Sequence, residues 1–190
     1  MRRKGIAVTT PPAPGNFFLT ANGPLDSTLT GSLASNAIQW ATASPYNHAG
    51  LCVDPRTVIE AQPGGARRSP IDGYLGANTV WSTGYPLTAG QRVAIVAAAG
   101  TLLGTPYGWG DIAAIALAQQ RLGRFHRVDA LIPYGKQPWW VRRLARPDRL
   151  ICSELVDYAY LLGGVHLFAD GRPSGLCSPG DLGRLLTVGG

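Results

Sequence analysis

The sequence predicts an α+β fold in which an antiparallel sheet packs on a small set of helices, and three observations carry that expectation. Two apolar runs, "HAGLCV" and "TVIEA", are separated only by the turn-forming "DPR", so residues 48–61 read as a β-hairpin. A helix follows over about 89–103, opened by Thr88 with Gln91 three residues on and stopped by Gly104 and Pro106. A second helix begins at Cys152, where Leu155, Val156, Ala159 and Leu162 repeat at helical spacing. Strands and helices thus occupy separate blocks instead of alternating as βαβ units.

The other elements fit around these. Residues 1–15 are Pro- and Thr-rich and read as a flexible N-terminal arm. "NFFLT" (16–20) reads as a short strand, "SNAIQWATAS" (35–44) as a short helix and "TVWSTGYPL" (79–87) as a further strand. Near the end, Ser178 as N-cap, Pro179 at the first helical position and Asp181 at the third open a last short helix. At 190 residues and 45% apolar content, the chain suits one domain over 16–190, with a basic, aromatic insertion at about 112–147.

Composition excludes several classes. The longest apolar run, Val93 to Gly104, falls short of the roughly 18 residues of a membrane span. The basic start is followed only by Ile6, Ala7 and Val8, not the roughly 7 to 15 apolar residues of a secretory signal. The expected location is therefore cytoplasmic or virion-associated. Three cysteines without a CxxC pair, and three histidines, exclude a disulfide framework and a Cys/His zinc site, so neither cofactor nor metal is expected.

The charge is concentrated. Between Arg121 and Arg149 eight basic residues face Asp129 and Asp148, a net of +6 that equals the net charge of the whole chain. With Trp139, Trp140, Arg142 and Arg143, this segment suits contact with an anionic membrane surface. The plainer reading is a solvated insertion whose tryptophans pack on the domain. Arginine outnumbers lysine fifteen to two, which reads first as codon bias. No RNP-like, helix-turn-helix or zinc motif accompanies the charge, so specific nucleic-acid binding is not expected. Nothing in the sequence sets the oligomeric state.

Cys152 is the residue placed for chemistry. A thiol in the first turn of a helix meets unpaired backbone N–H groups and the positive end of the helix dipole, both of which favour an anion. Cys52 lies in an apolar run and reads as a core residue, and Cys177 lies in a Gly/Ser/Pro loop. A thiol nucleophile needs a base. His126 sits among arginines and His166 falls past the far end of the Cys152 helix, whereas His48 opens a strand from which its ring can project beyond the sheet edge.

The imidazole in turn needs a polar group to hold its tautomer. With Val53 opposite Thr57 across a three-residue loop, Gly50 lies opposite Glu60 and His48 opposite Gln62, so His48, Glu60 and Gln62 share one face. Glu60 is then diagonal to His48, and the missing side chain at Gly50 leaves the space between them open. Glu60 is one of only two glutamates in the chain, and Gln62 is the alternative orienter.

"GTPYGWGD", then "ICSELVDYAYLLGG", then "SPGDL" together resemble the NlpC-type papain-like cysteine hydrolases. In the ordinary family the His strand follows the Cys helix. Here "SPYNHAGLCV" and "VIEA" come roughly a hundred residues before Cys152, an order similar to the circularly permuted branch that includes the YiiX-like proteins and is related to the lecithin:retinol acyltransferase group. The resemblance covers residues 16–186 apart from about 112–147. It implies a permuted papain-like fold whose antiparallel sheet packs on the helix bearing the nucleophile. It further implies Cys152 as nucleophile, His48 as base, Glu60 as third polar residue, and Tyr107 near the thiol as an aid to the oxyanion.

The implied activity is a thiol hydrolase acting on an amide, peptide or lipid-ester bond through an acyl-enzyme. Alternatives on the same fold are a non-catalytic lipid- or acyl-peptide-binding or virion-associated module, and a phage or bacterial cell-wall peptide hydrolase. Ile151 stands where the family often has a small polar or acidic residue, and Gly108 follows Tyr107; both departures bear on the substrate.

Overall fold

The computed structural model describes residues 12–21, 44–76, 78–110, 148–169 and 177–188. The helix expected over 35–44, the basic insertion, His126, Trp139, Trp140, Arg142 and Arg143 lie outside the described residues, apart from Ser44 at the end of the first.

Five strands form one antiparallel sheet: β1 (Phe17–Thr20), β2 (His48–Asp54), β3 (Thr57–Gln62), β4 (Gly65–Pro70) and β5 (Thr79–Trp81), in the spatial order β4-β3-β2-β1-β5. Strand alternation sends Phe17, Leu19, Ala49, Leu51, Ile59 and Ala61 to one face, where they meet α1 (Ala89–Thr101), α2 (Cys152–Leu162) and α3 (Pro179–Val188) in the main core. Phe18, Cys52 and Val58 point the other way, into a smaller cluster closed by Ile71, Tyr74 and Trp81. The chain is thus α+β, with its central strands covered on both faces.

The hairpin register is the expected one where it matters: Leu51 pairs with Ile59 and Cys52 with Val58. At the turn it differs. Thr57 opposes Asp54 and not Val53, because Asp54 Oδ1 accepts the Arg56 N–H at 2.8 Å and tightens the loop to Pro55–Arg56, leaving Val53 as the extra residue of a bulge. β4 was not expected from its composition. It forms because Pro63–Gly64, with Gly64 at φ 105°, turns the chain back so that Gly65 pairs with Gln62. A short 3₁₀ turn, Ile71–Tyr74, follows and covers the outer face. The strand expected over 79–87 stops at Trp81. Ser82 still pairs with Phe17, its Oγ accepting the Phe17 N–H at 2.9 Å, before Gly84 and Pro86 break the run.

The helices match their signals with two differences. The Thr88–Gln91 capping box is formed in both directions, and Ser178 and Asp181 cap α3 reciprocally. In α2, Leu155, Val156 and Ala159 are buried as expected, but Leu162 is 58% exposed and Tyr160 takes the inward place instead. The helix ends there: a Cβ on Gly163 would come within 2.9 Å of the Ile95 backbone, so only glycine lets α1 and α2 cross this closely. The arm expected to be flexible over 1–15 is fastened over its last four residues. Gly15 N–H bonds Cys52 O at 2.9 Å, Tyr160 hydroxyl bonds Gly15 O at 2.6 Å, and Arg92 bonds Pro14 O at 2.9 Å. Among the described residues no helix is long and apolar enough to cross a membrane.

Candidate active site

The segment before the Cys152 helix is anchored to the end of the sheet where β2 begins. Ala66, early in β4, donates to Thr105 O at 2.9 Å, and Gly104 donates back to Ala66 O at 2.9 Å. Leu150 N–H then bonds Pro106 O at 3.0 Å, pairing Tyr107 with Leu150 two residues ahead of Cys152. These links bring the first turn of α2 to the strand end that carries His48. Glu154 Oε2 accepts the Ile151 N–H at 2.9 Å, and Ser153 Oγ donates to Cys177 O at 2.6 Å, so the turn bearing the thiol is held from two sides.

His48 is fully buried, Glu60 and Cys152 almost so. The imidazole Nε2 lies 2.6 Å from Glu60 Oε2, the diagonal pair expected from the register. Nδ1 has no hydrogen-bond partner among the described residues, which leaves it as the nitrogen for the thiol. Burial alone would make the ring give up its proton. Interactions with Cys152 and with Glu60 outweigh that, raising His48 from 6.5 to about 9. Burial likewise pushes the Glu60 carboxyl upward, but the hydrogen bond and charge of His48, with the hydroxyls of Ser69 and Tyr74, bring it from 4.5 down to about 2. At neutral pH the pair is therefore imidazolium beside carboxylate.

Gln62, the alternative orienter, does not reach the imidazole. Its amide nitrogen lies 3.4 Å from the Tyr74 hydroxyl, and its oxygen accepts from Arg67 at 2.5 Å. The space above Gly50 is not open either. The Phe18 ring fills it, stacked on Tyr74 at 4.1 Å and edge-on to His48 at 5.8 Å. Tyr107 is buried beside Cys152 and Glu154. Burial first, then the charges of those two groups, pushes its phenol well above 10, so it remains a hydrogen donor at working pH. His166 is exposed past the end of α2, as expected, and Cys52 and Cys177 are buried.

Sequence reasoning missed three contributors, Tyr74, Ser69 and Phe18. Tyr74 donates to Glu60 Oε2 and Ser69 donates to Oε1 at 2.6 Å. Alternation along β4 could have found Ser69, had the strand been recognised behind "QPGG"; no local signal marks Tyr74. Among the described residues no group of three or more His, Cys, Asp or Glu side chains is placed to hold a metal ion.

The arrangement brings a thiol at a helix start, an imidazole and a carboxylate together. No family model matches the chain, and no curated protein matches its sequence.

Proposed function

We propose that the protein is a papain-like cysteine hydrolase in circularly permuted order, acting on an amide or ester carbonyl. The observation that carries this reading is the buried Glu60–His48 hydrogen bond of 2.6 Å, with the imidazole's other nitrogen left to Cys152. Nucleophile, base and orienter are the three parts such chemistry needs. The order of elements supports the permuted form: the hairpin bearing His48 and Glu60 precedes the Cys152 helix in the chain and packs on it in space.

In the proposed cycle the reacting form of the pair is the Cys152 thiolate beside the His48 imidazolium. Sγ attacks the carbonyl carbon, and the negative charge that develops on oxygen is met by N–H groups of the first turn of α2, with the Tyr107 hydroxyl as a further donor. His48 gives its proton to the departing amine or alcohol as the carbon–leaving-group bond breaks, producing a Cys152 thioester. The neutral imidazole then takes a proton from water, whose oxygen attacks the thioester and releases the acid. Glu60 stays ionised throughout and holds the ring.

A binding module would not require a thiol, a base and an orienter brought together, so the hydrolase is the better reading. The test is mass spectrometry of the intact protein after incubation with a panel of activated acyl, peptide-amide and muropeptide probes. An acyl adduct mapped to Cys152, and lost in His48→Ala, is expected. Adducts at Cys52 or Cys177 only, or none with any probe, would reject the hydrolase.

A further inference from the structure

Behind His48 the polar side chains form a chain in which each hydrogen bond has one direction. Arg67 carries only donors, so the Gln62 atom 2.5 Å from it must be the oxygen, which turns the Gln62 NH₂ toward the Tyr74 hydroxyl. That hydroxyl has a single hydrogen. Accepting from Gln62, it gives the hydrogen to Glu60 Oε2, the same oxygen that His48 Nε2 contacts. Ser69 donates to the other oxygen at 2.6 Å, and Arg67 Nε stands 3.8 Å from it. Every neighbour named here offers the carboxylate a hydrogen, so none is left for Glu60 to carry itself.

The phenol is also fixed in place. Its ring lies against Phe18 at 4.1 Å, and its backbone carbonyl receives the Trp81 indole N–H at 3.1 Å. Burial and the Glu60 charge push the phenol far above its ordinary range, so it keeps its hydrogen beside the carboxylate.

We propose that Tyr74, directed by Gln62 and Arg67, is a positioning residue of the site: its hydroxyl keeps Glu60 ionised with Oε2 turned toward His48, and so fixes the imidazole tautomer whose Nδ1 serves Cys152. This deepens the hydrolase reading and rests on it for its catalytic meaning. The chain links an exposed guanidinium to His48 through three side chains, those of Gln62, Tyr74 and Glu60.

The test is NMR of the protein carrying ¹⁵N-labelled histidine, with the His48 signals assigned by their loss in His48→Gln. Protonation of Glu60 removes the charge that Nε2–H faces and appears as a low-pH inflection in the His48 shifts. Tyr74→Phe keeps the stacked ring and removes one hydrogen bond to a charged group, so the inflection should rise by about one pH unit. Gln62→Met, which keeps volume and removes the directing amide, should move it the same way by less, and it decides the question should Tyr74→Phe fail to fold. An unchanged inflection in a folded variant overturns the proposal. Because this readout needs no turnover, a shifted inflection without any acyl adduct on Cys152 rejects the hydrolase alone. An adduct without the shift rejects the role of Tyr74 alone.

Discussion

Replacing Glu60 by glutamine removes a charge and almost no volume, which makes it the sharpest perturbation of the site. Three donors converge on the two carboxylate oxygens, from His48, Tyr74 and Ser69. A glutamine offers them one oxygen and turns its own two hydrogens toward the rest, leaving at least one buried donor unpaired at a cost of about 1–3 kcal/mol that does not depend on pH. A second contribution does depend on pH. The Glu60 carboxyl is displaced from 4.5 to about 2, and a displacement of that size corresponds to about 3 kcal/mol of folding free energy.

The sign follows from a carboxyl that is more acidic folded than unfolded. Its contribution is complete above pH 4.5 and is lost as pH falls through about 2. At about pH 3 roughly 2 kcal/mol of it should be gone. Urea unfolding of wild type and Glu60→Gln at intervals from about pH 6 to about pH 3 measures this, because the carboxylates common to both cancel in the difference. The gap should be widest at the upper end and narrow steadily below 4.5. A gap that stays constant across the range would show that Glu60 is not held ionised by its neighbours, and the reasoning about the site's charge state would fail.

Four further outcomes are expected. Cys152→Ala and His48→Ala should each abolish acyl-probe turnover with the double variant no worse than either, since nucleophile and base act as a unit; iodoacetamide mapping should find Cys152 labelled ahead of Cys52 and Cys177, and more slowly in His48→Ala. Gly50→Ala should destabilise the protein by about 1–3 kcal/mol and reduce turnover. Its Cβ would lie 2.6 Å from Phe18 Cε1 and 3.1 Å from Ile59 O, driving Phe18 toward His48 and Tyr74; thermal unfolding and turnover of the variant check it. If the basic segment contacts an anionic membrane surface, binding to anionic vesicles should appear at low ionic strength, fade with added salt, and weaken on charge reversal of Arg142 and Arg143 without loss of Cys152 labelling. Equal binding to neutral vesicles, or none to either kind, would leave the basic segment as structural cover.

The residues expected to do chemistry were legible because each sits at a position whose geometry is set within a few residues. A cysteine in the first turn of a helix and a histidine at the first residue of a strand can be placed from local pattern alone. The Glu60–His48 diagonal needed only the parity of one hairpin, and parity survived the bulge at Val53 because that bulge lies on the turn side of Cys52. β4 was not legible because "GARRSP" has no β-branched or aromatic residue and gains its place as an edge strand, with Arg67 and Arg68 in solvent and Ser69 turned to Glu60. Tyr74 lies further still from local reading, since it enters on a four-residue 3₁₀ turn and reaches Glu60 only after β3, β4 and Phe18 are assembled. The division has a physical cause. Residue type and local backbone place the thiol, the imidazole and the carboxylate. The hydroxyls and the amide that surround the carboxylate meet only across the finished sheet, so the proposed role of Tyr74 rests on contacts that no pattern around Cys152 could reveal.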